Sequence, residues 1–185
     1  NNEMYDTVTN TWTTKKALTV ATYGGVAVSC NGSIYHLGGN GYTTSHYVYN
    51  PSTNTWTGKT ALPNAKQYSA AVEVNGKVYI SQGNNTYNMV YDPSTNAWTQ
   101  LTRNSATSAG NYVSSAYYNG KIYVMGGATY PTYAYAYTIA TDTWASVKAI
   151  PTGFYRAGQQ GMVYKDKIYF MGGTYNGSTS NKILR

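Results

Sequence analysis

The chain has 185 residues, 42% hydrophobic and only 10% charged, with a net charge of +7. Its 13 basic residues are scattered, Lys15 and Lys16 being the one adjacent pair, so the balance reflects few acids rather than a basic stripe and argues against nucleic-acid binding. Cys30 stands alone, which excludes an intramolecular disulfide or a cysteine-based metal site, and no run of 18 apolar residues calls for membrane insertion.

The apolar mass is carried by amphipathic rings, 22 Tyr against 2 Phe. Thr, Asn, Ser and Gly fill most of the remainder, a composition that favours strands and turns. The absence of an initiator Met and of a leader pattern makes a mature or excised piece the expectation.

Taken in chain order, "MYDTVTNTW" (4–12) reads as two strands around a turn, and its phrase returns as "VYNPSTNTW" (48–56), "VYDPSTNAW" (90–98) and "AYTIATDTW" (136–144). Between these lies a second phrase, "NGSIYHLGG" (31–39), "NGKVYISQG" (75–83), "NGKIYVMGG" (119–127) and "KDKIYFMGG" (165–173). Trp12, Trp56, Trp98 and Trp144 recur at intervals of 44, 42 and 46 residues, each seven after Tyr5, Tyr49, Tyr91 or Tyr137. Such a period marks a repeat architecture.

Each unit is expected to hold four short strands, best seen in "YSAAVEV" (68–74), "KVYIS" (77–81), "NMVYD" (88–92) and "NAWTQ" (96–100). Asn-Gly at 31–32, 75–76 and 119–120 predicts tight hairpins between the first two strands, because both residues tolerate positive φ. Gly39, Gly83, Gly127 and Gly173 end the second strands, where backbones approach closely. Strands such as "IYVM" are apolar on both faces and need cover on both sides, which radial stacking of sheets supplies. The Trp is read as a wedge against the neighbouring blade.

The diglycine strand, the Tyr and Trp in fixed register and the period in the forties resemble the kelch repeat over nearly the whole chain, most closely as it occurs in secreted or cell-surface bacterial proteins. The resemblance implies a single all-β domain over residues 1–185, a β-propeller of four-stranded antiparallel blades. It also implies an extracellular or cell-surface location. The basic residue that kelch repeats often place before the first strand corresponds to Lys66 and Arg156 here, with Thr22 and Gly110 in the other units. Residues 1–12 supply third and fourth strands, and 159–185 a first, a second and the start of a third. Four blade equivalents are therefore expected, one of them composed of both chain ends. A fragment of a larger ring and a ring shared between chains are the rivals.

Catalytic constellations are missing from the sequence. His36 and His46 have no partners at ligand spacing, Asp6, Asp92 and Asp142 sit at turns where an Asp bonds its own backbone, and Cys30 occupies an ordinary strand position. The copper radical oxidases, which some kelch propellers resemble, need a Cys–Tyr crosslink with further ligands, so the expectation is a protein without enzymatic activity or cofactor. A ligand is expected on the face made by the second-to-third and fourth-to-first connections: 40–44, 60–67, 84–87, 102–111, 128–133, 148–157 and 174–180. There the repeats diverge. Tyr42, Tyr87, Tyr130, Tyr133, Tyr155 and Tyr175, with Arg103 and Arg156, supply rings and hydrogen-bond donors suited to a glycan or an extended peptide. Asn31, Asn84 and Asn176 begin N-x-Ser/Thr sequons. Self-association into a surface layer or fibre is the alternative function.

Overall fold

The computed structural model describes residues 1–41, 43–104, 110–130, 132–151, 160–175, 178–179 and 183–184, the last short strands by their backbone alone. Three complete four-stranded antiparallel sheets follow one another along the chain. The first comprises β3 (Val26–Cys30), β4 (Ser33–Leu37), β5 (His46–Asn50) and β6 (Thr55–Gly58). The second holds β7 (Ala70–Val74), β8 (Lys77–Ser81), β9 (Asn88–Asp92) and β10 (Ala97–Leu101), and the third β11 (Ser114–Tyr118), β12 (Lys121–Met125), β13 (Ala134–Thr138) and β14 (Thr143–Ser146). Partial sheets flank the three: β1 (Asn2–Asp6) with β2 (Thr11–Lys15) before the first, and β15 (Gln160–Tyr164) with β16 (Lys167–Met171) after the third. The expected Asn-Gly turns are present, with φ of 48° and 73° at Asn31–Gly32 and 50° and 76° at Asn75–Gly76.

The sheets are arranged as propeller blades, with the innermost strands β3, β7, β11 and β15 each packed on the next. These strands line an open central channel of about 430 Å³ whose wall is built from small residues such as Ala27, Ser29, Ala71, Ser115 and Gly161. The core lies between blades. Leu37, Val48 and Leu62 of the first meet Val78, Ile80 and Met89 of the second, and Val74 meets Val113, Ile122 and Val124 in the next interface.

A clamp repeated at three successive interfaces explains the Tyr and Trp register. Trp56 Nε1 donates to Lys16 O (2.8 Å), Trp98 Nε1 to Thr60 O (3.0 Å) and Trp144 Nε1 to Thr102 O (2.9 Å). Lys16, Thr60 and Thr102 in turn donate their backbone N–H to Asn54 Oδ1 (2.7 Å), Asn96 Oδ1 (3.3 Å) and Asp142 Oδ1 (2.9 Å). Each of those side-chain oxygens also accepts from the repeat Tyr hydroxyl, Tyr49 (2.8 Å), Tyr91 (2.7 Å) or Tyr137 (2.6 Å). One blade thus grips both backbone groups of the residue that leaves its predecessor. Trp56, Trp98 and Trp144 are half-buried by this arrangement; Trp12, whose sheet has no described blade before it, is 70% exposed and does not act as a wedge.

The composite blade expected from the two chain ends is not formed among the described residues. β19 (Ile183–Leu184) pairs with β16 through Met171↔Ile183 and Phe170↔Leu184, the register that Leu37↔His46 and His36↔Tyr47 have in the first blade. β19 therefore already holds the third-strand place that β1 would have to enter, and β1–β2 remain a sheet of two. The hairpin of β17 (Thr174–Tyr175) and β18 (Ser178–Thr179) lies between β16 and β19 in sequence.

Candidate ligand-binding face

The face at which second strands end and first strands begin is built on close backbone approach. Gly38 (φ 68°) and Gly39 (φ 137°) follow β4, and a Cβ at either would overlap Lys66 O or Thr22 Oγ1. Only glycine lets the connection entering the next blade cross there, and Gly39 N–H donates to Lys66 O (2.9 Å) as it does so.

Around the channel mouth three residues at 44-residue spacing share the left-handed conformation: Gly24 (φ 68°), Tyr68 (φ 50°) and Tyr112 (φ 64°). Tyr68 N–H donates to Gly24 O (2.7 Å) and Tyr112 N–H to Tyr68 O (3.0 Å), a backbone chain that crosses from blade to blade. The Tyr68 ring lies over Gly24, where a Cβ would come within 2.7 Å of it, and the Tyr112 ring stacks on Tyr68 with centroids 4.1 Å apart and planes 32° from parallel. The bond to the Tyr112 hydroxyl raises the Tyr68 phenol's pKa. A bulky residue at positive φ costs about 1–3 kcal/mol, and such strain concentrates at functional sites. Tyr112 is 41% exposed and Tyr68 half-buried, so the staircase opens to solvent at its Tyr112 end; Tyr23, next to Gly24 in the chain, is 60% exposed.

Beside it stands a second constellation. Lys66 is fully buried, and its ammonium donates to Gln82 O (2.9 Å), Asn85 Oδ1 (2.8 Å) and Tyr87 O (2.7 Å). Asn84 Oδ1 accepts from Gln67 N–H (2.9 Å), and Asn84 and Asn85 both donate to Ala65 O (3.3 and 2.9 Å). The loop carrying Tyr87 is thereby fastened to the entrance of the same blade, and the Arg103 guanidinium lies 3.6 Å over the Tyr87 ring.

Of the residues picked from sequence, Tyr87 and Arg103 are brought together. Tyr130 is 44% exposed, and its carbonyl accepts from Tyr133 N–H (2.9 Å). Tyr133 is not available to a ligand: it is 5% exposed, packed in the core, with its hydroxyl accepting from Asn104 Nδ2 (2.6 Å), and burial pushes its phenol pKa up. Tyr175 is described by its backbone only, within β17, and Tyr42, Tyr155 and Arg156 lie outside the described residues. Sequence reasoning missed Tyr23, Tyr68 and Tyr112; the 44-residue spacing of position 68 to Gly24 and Tyr112 was the available signal.

The groups weighed for catalysis have packing roles. His46 is 3% exposed, hydrogen-bonded through Nδ1 to Thr60 O (2.9 Å) and wedged between Tyr91 (4.5 Å) and Trp98 (5.4 Å); burial lowers its pKa to about 4. The His36 ring lies over Gly25, and Cys30 is buried with its thiol pKa raised by burial. Asp6 and Asp92 accept from backbone N–H groups two residues on, whereas Asp142 belongs to the blade clamp. Among the described residues no three His, Cys, Asp or Glu side chains are grouped to hold a metal ion.

No protein-family model matches the chain, and no curated protein matches it either. Among solved structures it is similar to YjhT, with a TM-score of 0.76 over 88% of this chain at 17% identity. The match takes in 63% of the YjhT chain, so this chain spans less than two thirds of that protein's length. At that identity the likeness speaks for the fold alone, and the fold is an all-β propeller of four-stranded antiparallel blades.

Proposed function

We propose that this protein is a non-enzymatic, extracellular or cell-surface kelch-type module that binds a glycan or protein segment on the face bearing the Tyr68–Tyr112 staircase. The observation that carries the reading is the pair of stacked, left-handed tyrosines at the channel mouth: the fold tolerates strain there to hold rings toward solvent. Rings held rigidly bind at low entropic cost, and their hydroxyls accept and donate hydrogen bonds. Exposed Tyr23 and Tyr130 and the Arg103–Tyr87 pair extend this surface across the same face.

The test is a screen of the 185-residue chain against a glycan array and a peptide library, repeated with Tyr112→Ala. Binding lost in a variant that still unfolds cooperatively, at a melting temperature well above that of the assay, supports the assignment. Binding that survives Tyr112→Ala but is lost on altering the Asn75 or Asn119 turns at the opposite end would move the site to the other face. The rival reading, a self-assembling surface subunit, requires concentration-dependent growth in light scattering without any ligand.

A further inference from the structure

We propose that Lys66 is a positioning residue whose proton sets the order of loop 82–87, and with it the placement of Tyr87 and Arg103 on the binding face. The inference rests on the functional reading above for its biological meaning, but the loop geometry carries it. Lys66 is the junction of three connections: its N–H donates to Thr43 O (3.1 Å), its carbonyl accepts from Gly39 N–H (2.9 Å), and its Nζ reaches three oxygens of loop 82–87. Those oxygens are spaced through the loop, so the ammonium fixes its start, middle and end at once. Asn85 Oδ1 relays the hold further, accepting from Tyr87 N–H (3.1 Å) as well as from Nζ.

An ammonium has three donors and matches three acceptors; a neutral amine has two, and its lone pair would face an oxygen. Loss of the proton therefore takes the Nζ bond from one of the three oxygens and sets a lone pair against it. Among the described residues no carboxylate pairs with Nζ. The acceptors around Nζ are the carbonyls of Gln82 and Tyr87 and the side-chain amide of Asn85, all uncharged; the titratable and charged groups of the adjoining loops are the Tyr87 phenol and the Arg103 guanidinium stacked on it. The one ion pair among the described residues, Lys77–Asp92, involves other groups. Burial without a carboxylate partner brings the lysine's pKa down to about 7, within reach of ordinary conditions.

The experiment needs no ligand, so its outcome is separate from that of the binding screen. The 13Cε resonance of Lys66 is followed by NMR from pH 5 to 11, alongside hydrogen-exchange protection of the Tyr87 and Gln67 amides corrected for intrinsic rates. The expected result is a midpoint within about one unit of 7 and a fall of roughly tenfold in Tyr87 protection across it. In Lys66→Met protection should be low and independent of pH. A midpoint near that of a free lysine, or protection that stays level through the titration, would overturn the proposal. Lys66→Met protection equal to wild type would do the same, and should that variant fail to fold, the wild-type titration alone decides.

Discussion

Trp98 and Trp12 occupy the same place in the repeat, but only Trp98 has a blade to grip, so the pair isolates what the clamp is worth. Trp98→Ala removes the indole bond to Thr60 O, the contacts of the ring with Tyr91 at 5.1 Å and His46 at 5.4 Å, and half-buried apolar area. The hydrogen bond contributes about 1 kcal/mol, and each ring pair about 0.5–1.5 kcal/mol. The total is about 3 kcal/mol, at the low end of the range for deleting a buried Trp because this one is half-exposed. Trp12 also packs on its Tyr, at 5.1 Å, yet is 70% exposed, so Trp12→Ala should cost roughly 0.5 kcal/mol. For a chain of this size the first variant should melt about 6–12 °C lower and the second about 1–2 °C lower. Urea titrations give the free energies, and Trp98→Phe, which keeps a ring but loses the donor, should fall between, near 1 kcal/mol. Equal losses for Trp98→Ala and Trp12→Ala would refute the clamp as the source of the effect.

Acid should weaken the fold through His46: its folded pKa of about 4 lies below the ordinary imidazole value of 6.5, so the unfolded chain binds the extra proton first. Stability is full above pH 6.5 and declines toward pH 4 by about 2–3 kcal/mol, an arm that His46→Leu should flatten in pH-dependent denaturation. Gly38→Ala combines a left-handed backbone with a Cβ overlapping Lys66 O, and should lower stability by about 2–4 kcal/mol in urea titration. Tyr112→Gly should leave the melting temperature nearly unchanged, because relief at φ 64° offsets the lost stack on Tyr68, while abolishing capture of any glycan or peptide found in the screen.

The strands and their register were legible because they follow from side-chain alternation and turn chemistry, both local. "KVYIS" and "NMVYD" match β8 and β9 residue for residue, and the Asn-Gly hairpins take the predicted positive φ. The clamp is half-legible: Tyr and Trp stand out, while nothing in the sequence marks Asn54, Asn96 and Asp142, each two residues before its Trp, for a role beyond their own hairpin. Their oxygens act across blades, between residues about 40 apart in the chain, and turn propensity carries no trace of that. The binding face was the least legible part. Tyr133 and Tyr87 are both loop tyrosines in sequence, and only the packing of Val113 and Tyr135 around the first buries one and leaves the other beside Arg103.

At three of the 22 Tyr the clamp explains why Phe does not serve. At Tyr49, Tyr91 and Tyr137 the ring must fill a blade interface, and these residues are 4%, 1% and 1% exposed. Its para position must also meet the Asn or Asp oxygen near the surface, which a phenol does and a benzene cannot. That oxygen in turn accepts the N–H of the departing residue, while the indole serves its carbonyl, so at Thr60 both backbone groups are satisfied by side chains of the next blade. Thr60 Oγ1 adds a bond back to Asn96 O (2.7 Å), and His46 Nδ1 a second to the Thr60 carbonyl (2.9 Å). These side chains do for Thr60 what a fifth strand would do, at a point where the chain must leave one sheet to enter another. Tyr91→Phe should therefore cost about 1 kcal/mol, although the ring and its packing remain, because one acceptor in a shared network loses a donor. A Tyr91→Phe variant as stable as wild type in urea titration would mean that the hydroxyl is incidental and that the tyrosines serve packing alone.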